Sequence, residues 1–336
     1  MYDIITFGSA TEDIYLIPKN IKILENKENF GSEKGVCFDL GSKIEIKDIF
    51  FATGGGGTNA AATLANQGFR VAFCGAIGAD IFGLEIVRDL KKFRIDTKLI
   101  VKKKDKKTNV SVIISSEGGE RTILAYRGAS EALNKEDIPW RRIKKTRWFY
   151  LAPLTGAWCL PEQATLFGQL VNFAKENNIK VAINPSKQQL SLPTDELNRI
   201  LAKVDILFLN QEEAAFLTKN PFGEEQKIFK RIDEVCPGVA VMTRGAKGVV
   251  VSDGKFLYSA PANPDIKIID TTGAGDSFAA GFLSDYIRYN GDIEKAIQLG
   301  LANSQANLSQ IGAKTGLLTK KSSFERVAVI KEELKD

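Results

Sequence analysis

The stretch IKIIDTTGAGDSFAAGFLSDYI, residues 266–287, reads as a strand, a turn and a helix in direct succession. IKIID has the apolar character of a short strand, and TTGAGD then sets three residues with almost no side chain before one acid, Asp276. Phe278, Phe282, Leu283 and Ile287 follow at helical spacing, which predicts a helix that starts between Gly273 and Asp276. The same alternation runs through the chain. DIITFG, RVAFCGAIG, RWFYLAP, KVAINP, DILFLN, VAVMTRG and GVVVSDG are short apolar runs with helical patterns between them. Strands that alternate with helices predict an α/β fold with a mostly parallel sheet covered on both faces. Ligands of such folds bind beyond the carboxyl ends of the strands. Each of the first five runs ends in Gly, Pro or Asn, residues that turn the chain and leave backbone groups open there.

Two segments break the rhythm. GVCFDLGSKIEIKDIFFA (35–52) and TNVSVIISSEGGERTILAY (108–126) alternate apolar and polar residues, the second with a Gly-Gly turn between two strands. Together they predict a small antiparallel sheet that projects from the main body as a candidate lid. Its inserted segments are 14–52 and 98–127 of a single domain spanning 1–336. The plainer alternative is an edge extension of the main sheet.

The 336 residues, 44% of them hydrophobic, suffice for one large α/β domain with an insertion. No apolar run approaches the roughly 20 residues that span a bilayer. The opening MYDIITFGSATEDIY carries Asp3, Glu12 and Asp13 and reads as a first strand, not as a signal peptide. The expectation is a cytoplasmic protein with no membrane partner. Cys37, Cys74, Cys159 and Cys236 lie far apart, without the clustering of a zinc site or a disulfide framework. Histidine is absent from the chain, which excludes Ser-His-Asp and Cys-His catalysis and histidine-bound metals. Carboxylates, lysines and backbone amides are left to do the chemistry. The net charge of +5 gathers in KKKDKK (102–107), read as a hairpin tip, and RRIKKTR (141–147), read as a solvated helix or loop before a strand. No nucleic-acid partner is expected.

At the start of the predicted helix, the first amides lack intrahelical partners and share the positive end of the helix dipole. Gly273, Ala274 and Gly275 let an anion reach that backbone. An acid in the same turn can accept the proton of a hydroxyl that attacks a bound phosphate, and phosphoryl transfer asks for little more. The plainer role for Asp276 is an N-terminal helix cap or a helix-dipole partner. Gly55, Gly57 and Ala60 also fit a dinucleotide-binding G-x-G-x-x-A, but RVAFCGAIG ends in glycine where that unit places an acid. G-x-x-x-x-G-K-[ST] does not occur, so a P-loop enzyme is excluded.

From residue 3 to about residue 316 the chain resembles the ribokinase-like family of carbohydrate and nucleoside kinases, also called the PfkB family. Two motifs carry the resemblance: GGGGTNAAATLANQG (54–68), like the family's N-terminal glycine signature, and DTTGAGDSFAAGF (270–282), like its C-terminal one. NQEE (210–213) resembles the family's N-x-x-E, and TRGAKG (243–248) its nucleotide turn. The resemblance implies a ribokinase-like three-layer α/β/α domain with a small antiparallel β lid, and an ATP-dependent kinase acting on a hydroxyl of a sugar or nucleoside. It implies Asp276 as catalytic base and the amides of Gly273, Ala274, Gly275 and Asp276 as anion hole. Asp13, Gly55, Gly56 and Asn59 would bind substrate. Asn210 and Glu213 would order Mg2+ through water, and Thr243, Gly245 and Gly248 would line the nucleotide, with adenine near 300–313. Asp270 and Thr272 match positions that hold a monovalent cation, K+, in some members.

The chain departs from ribokinase at three places. Thr11 stands where ribokinase has asparagine and Gly56 where it has lysine, and YLAPLTG (150–156) lacks its ribose-binding acid. Ribose is therefore in doubt while kinase activity is not. A sugar phosphate would need its charge matched by a lid arginine such as Arg121 or Arg127. A non-catalytic nucleotide or sugar sensor of the same fold is the alternative, and an exposed lid could pair two copies into a homodimer.

Overall fold

Backbone pairing in the computed structural model, which describes residues 1–25, 34–115, 121–159 and 165–334, collects nine strands, numbered along the chain, into one sheet. Across it the order is β6 (Val71–Cys74), β1 (Tyr2–Phe7), β11 (Thr146–Leu151), β12 (Lys180–Ile183), β13 (Ile206–Asn210), β14 (Val239–Thr243), β15 (Val249–Ser252), β16 (Phe256–Ala260) and β17 (Ile330–Glu333). Pairing is parallel from β6 to β14 and antiparallel from β14 to β17. The switch has a local cause. Only a single short turn, Gly245–Lys247, lies between β14 and β15, too little chain for a parallel crossover.

Strand residues alternate between two cores, as a sheet covered on both faces requires. Ile5, Phe7, Phe149, Leu151, Leu207 and Leu209 pack toward the helices Leu166–Glu176, Thr194–Leu201 and Glu225–Val235. Ile4, Trp148, Tyr150 and Phe208 pack toward the helices Gly56–Asn66, Ala274–Arg288 and Ile293–Leu308. The architecture is therefore three-layered. In the second core Phe282 is fully buried, with its ring 5.6 Å from that of Phe208 and 6.1 Å from that of Tyr286.

The segments that break the strand-helix rhythm form a second sheet, in the order β10 (Arg121–Tyr126), β9 (Asn109–Ser115), β2 (Thr11–Pro18) and β5 (Ile46–Gly54). Its outer pairings are antiparallel, as expected, but the central β2–β9 pair is parallel. Between those two strands the chain crosses back through the helices Gly56–Asn66 and Ile81–Lys92, so it re-enters in the direction of β2. A hairpin of β3 (Lys22–Glu25) and β4 (Lys34–Cys37) and a parallel pair of β7 (Ala76–Gly78) and β8 (Val101–Lys103) complete the strands among the described residues. The expected Gly-Gly turn at 118–119 lies outside the described residues.

Three local readings are corrected. RVAFCGAIG breaks at Gly75 into β6 and β7, because a Cβ there would lie 2.4 Å from the Phe73 ring and 2.7 Å from the Gly8 carbonyl, so the chain bends away at that point. KKKDKK leads from β8 into β9, two strands that do not pair with each other, so it is no hairpin tip. IKIID is not a strand: the free edge of β16 is taken by β17, and Ile268 and Ile269 stand 59% and 48% exposed. The amides of Ile269 and Asp270 instead point to the Leu308 carbonyl at the end of the Ile293–Leu308 helix. No helix of the described residues is long and apolar enough to cross a membrane.

Phe282 sits two turns beyond the start of the helix that carries Asp276, so its packing anchors that helix to the sheet. Phe282→Ala is expected to lower unfolding free energy in urea by about 3–5 kcal/mol, the range for emptying a buried phenylalanine site. A loss below about 1 kcal/mol would mean that the helix is held elsewhere.

Candidate active site

The Ala274–Arg288 helix begins on Gly273, whose φ of 80° is the left-handed conformation that glycine adopts without strain. A Cβ at Gly273 would lie 2.6 Å from Ala313 Cβ, so close packing as well as backbone angle requires glycine. Gly273 offers no side chain to cap the helix; the Ala274 amide makes only a long bond to the Thr271 carbonyl at 3.4 Å, and the amides of Gly275 and Asp276 are left for an incoming group. Beside them, Gly275 has no protein atom within 4 Å of the place a Cβ would occupy. From behind, helix Ile293–Leu308 steadies the turn: Asn303 Nδ2 donates to the Ser277 carbonyl at 2.7 Å and Ser304 Oγ to the Ala274 carbonyl at 3.0 Å.

Asp276 lies in the first turn of this helix, half-buried, and Asn59 Nδ2 donates to its Oδ2 at 2.9 Å. Burial raises the Asp276 carboxyl above the ordinary 3.8, and the bond from Asn59 offsets part of that rise. Asn59 is itself buried, and its Oδ1 finds no partner among the described residues. The glycine run joins this acid to a second one. A Cβ at Gly56 would come 3.4 Å from Asp276 Oδ1, and a Cβ at Gly54 would sit 2.0 Å from Asp13 Oδ2. Gly55, at φ 97°, leaves no room for a Cβ against the Ser9 carbonyl at 2.5 Å. Asp13 on β2 is buried, and desolvation pushes its carboxyl up to about 6 despite a hydrogen bond from Ser111.

On the other side of Asp276 a cavity of about 200 Å³ opens at the carboxyl ends of the parallel strands. Asn184, Asn210, Glu213, Thr243, Gly273 and Gly275 line it with Asp276. Asn210 and Glu213 also form a capping box: Asn210 Oδ1 accepts from the Glu213 amide at 2.8 Å, and Glu213 Oε2 accepts from the Asn210 amide at 2.9 Å. Burial raises the Glu213 carboxyl. One Glu213 oxygen has its backbone donor, so the pair fits a magnesium ion that keeps its waters better than one held directly. Gly245 and Gly248 do not line this cavity. Gly248, at φ 89°, is demanded by the chain itself, since a Cβ there would lie 2.0 Å from the Ala260 carbonyl.

Asp270 and Thr272 come together, and a third residue joins them. Arg121, from β10 of the second sheet, donates from Nη1 to Asp270 Oδ1 at 2.7 Å and to the Thr272 hydroxyl. Among the described residues Arg127 reaches only Thr155 Oγ1, at 3.4 Å. Below the second sheet, Lys314 donates to Thr53 Oγ1 at 2.7 Å and pairs with Asp89 at 3.3 Å. Burial pulls the Lys314 ammonium down. Burial and neighbouring Asp13 push Glu12 up to about 7. Reading the sequence missed Asn184, Lys314 and the tie of Arg121 to Asp270. Asn184 alone left a signal, as the asparagine that ends KVAIN.

The chain matches the family model "pfkB family carbohydrate kinase" over residues 20–320. It is 27% identical to an ATP-dependent ribose-1-phosphate kinase of Halopiger xanaduensis, over 78% of this chain and 82% of that one. It is 29% identical to a ribokinase of Haemophilus influenzae, over 85% and 90% respectively. Its fold is that of the Arabidopsis thaliana ribokinase solved with ribose and ATP, at a TM-score of 0.75 with 21% identity over 95% of this chain and 96% of that one. A helix N-terminus open to an anion with an acid in its first turn, in a three-layer ribokinase-like fold matched nearly end to end, leads to one assignment: the chain belongs to the pfkB family of carbohydrate kinases.

Proposed function

We propose that the protein transfers the γ-phosphate of ATP to a hydroxyl of a sugar or nucleoside, with Asp276 as general base. The observation that carries this reading is the Asp276 carboxylate held at 2.9 Å by Asn59 beside the uncapped amides of its own helix. The substrate oxygen attacks the γ-phosphorus, its proton passes to Asp276, and ADP leaves with the bridging oxygen. The amides of Gly275 and Asp276 receive the charge on the transferred group, already aligned before it develops. Asn210 and Glu213 would hold Mg2+ through water, and the ion when bound neutralises phosphate charge. Thr243, which lines the cavity, would border the phosphates.

Asp13 and Asn59 would hold the acceptor, since an ionised carboxylate can accept protons from two neighbouring hydroxyls. The second sheet, which carries Asp13, would act as a lid that excludes water from the transfer. Pairing of Arg121 with Asp270 and the lack of a side chain at Gly56 favour an uncharged polyol. A sugar phosphate is the second reading, favoured by the likeness to the ribose-1-phosphate kinase and by the nearly free Arg127. A panel of ribose, nucleosides and ribose phosphates in an ADP-release assay separates the two.

Replacing Asp276 by Asn keeps the bond to Asn59 possible but removes the proton acceptor. The expected loss in kcat is about 10²–10⁴-fold with nucleotide affinity nearly unchanged, and a wild-type rate would disprove the assignment. Asp13 accepts from two hydroxyls on both of its oxygens only when ionised. With its carboxyl near 6, kcat/KM is expected to fall as the pH drops through that value, about tenfold per unit; a profile flat down to pH 5 would exclude its ionised form from substrate binding. The lid also exposes Phe51 (60%), Leu124 (57%) and Ile49 (47%) on one face of its strands, an apolar surface that suits pairing with a second copy. Sedimentation should show a dimer that Phe51→Glu dissociates; a monomer at all concentrations would refute it.

A further inference from the structure

The Asp270 carboxylate is held by four hydrogen bonds. Its Oδ1 accepts from Arg121 Nη1 at 2.7 Å, from the Thr272 amide at 2.9 Å and from the Thr272 hydroxyl at 2.7 Å. Its Oδ2 accepts from the Gly312 amide at 2.9 Å. Three of the four bonds crowd onto Oδ1, and Oδ2 keeps one further acceptor site. The side chain of Asp270 is 8% exposed, so its charge needs a partner, and the guanidinium is that partner. A further cation at this carboxylate would sit beside the guanidinium, a like charge, at a group whose own charge is already paired. The donor set therefore does not fit a monovalent cation at Asp270 and Thr272 in addition to Arg121.

Arg121 is distant in sequence, 149 residues before Asp270, and rides on the second sheet. Two further residues of that sheet border the same spot: buried Tyr15 lies against Asp270 and Thr272, and Asp13 feels both Asp270 and Arg121. On the opposite side, Asp270 holds the Gly312 amide, and the next residue, Ala313, is the one packed against Gly273. Arg121 thus grips, through Asp270 and Thr272, the chain immediately before the helix N-terminus and the loop that supports it.

We propose that Arg121 is a positioning residue, the resident cation of the turn at 270–273, so that the anion-binding helix N-terminus is ordered from the second sheet and without a bound monovalent cation. The inference rests on the proposed kinase reading for its catalytic consequence, but its structural content stands apart from that reading. Arg121 bonds Asp270 and Thr272 and not Asp276. When the second sheet moves away, the guanidinium goes with it and Asp270 loses its counter-charge, so the anion site is complete only with the sheet in place.

The test compares amide hydrogen exchange over 270–276 and at Gly312 in KCl and in choline chloride of equal ionic strength. Wild-type protein should show the same protection in both salts. Arg121→Ala should exchange about tenfold faster in choline and regain protection as KCl or guanidinium chloride at millimolar levels is added, because the vacated carboxylate then takes an external cation. In turnover, the variant should lose about 100-fold in kcat in choline and recover with potassium, while wild type is indifferent to the choice of salt. Arg121→Lys, which keeps a charge but on a more strongly hydrated and flexible ammonium, should fall between the two. Potassium-dependent protection in wild type, or unchanged exchange in Arg121→Ala, overturns the proposal. Exchange is read without substrate, so absence of kinase activity would sink the kinase reading and leave this one decided separately. Should Arg121→Ala not fold, the salt comparison on wild type still decides.

Discussion

An α-helix cannot satisfy its own first amides, and the arrangement around residues 270–276 follows from that deficit. Most helices cover these amides with a capping side chain, as Asn210 does for the Gln211–Thr218 helix and Asp80 for the Ile81–Lys92 helix. The Ala274–Arg288 helix has glycine at the cap position and leaves them uncovered. Such a site is stable only if the turn is held by other means. Asn303 and Ser304 hold it from behind, Ala313 closes on Gly273, and Asp270 ties it to Gly312 and Arg121.

The two acids near the site are tuned by the same force with different results. Asp276 and Asp13 are both raised by burial, but Asp276 has a neutral amide as its partner whereas Asp13 shares its surroundings with Arg121, Lys314 and Asp270. A neutral partner leaves a carboxylate basic, which suits proton acceptance; a mixed-charge setting suits the binding of hydroxyls. Four consecutive glycines set the spacing between them. Gly54 lies on one acid and Gly56 on the other, and a side chain at Gly54 would collide with the Asp13 carboxylate.

What could be read along the chain was what short-range geometry governs. The turn-helix unit at 271–288, the parallel strands and the alternating segments of the second sheet each depend on neighbours a few residues away. IKIID failed for a physical reason: an apolar run of that length suits a strand or an extended loop equally. The choice lay with β17, whose mostly charged IKEE carries no strand signature yet takes the only open edge beside β16. The parallel β2–β9 pair was equally hidden, since direction depends on the path of the intervening helices.

Sequence by itself determined that a glycine-led helix start, an acid within it and a glycine run exist in this protein, because backbone freedom and unpaired amides are local properties. The family signature was legible for the same reason. Tertiary structure alone decided which of these pieces meet. Asn59 reaches Asp276 across 217 positions, Arg121 reaches Asp270 across 149, and Lys314 finds Asp89 across 225. Such contacts depend on where strands and helices stack, and the desolvation that raises Asp276 and Asp13 arises only once that stacking has excluded water.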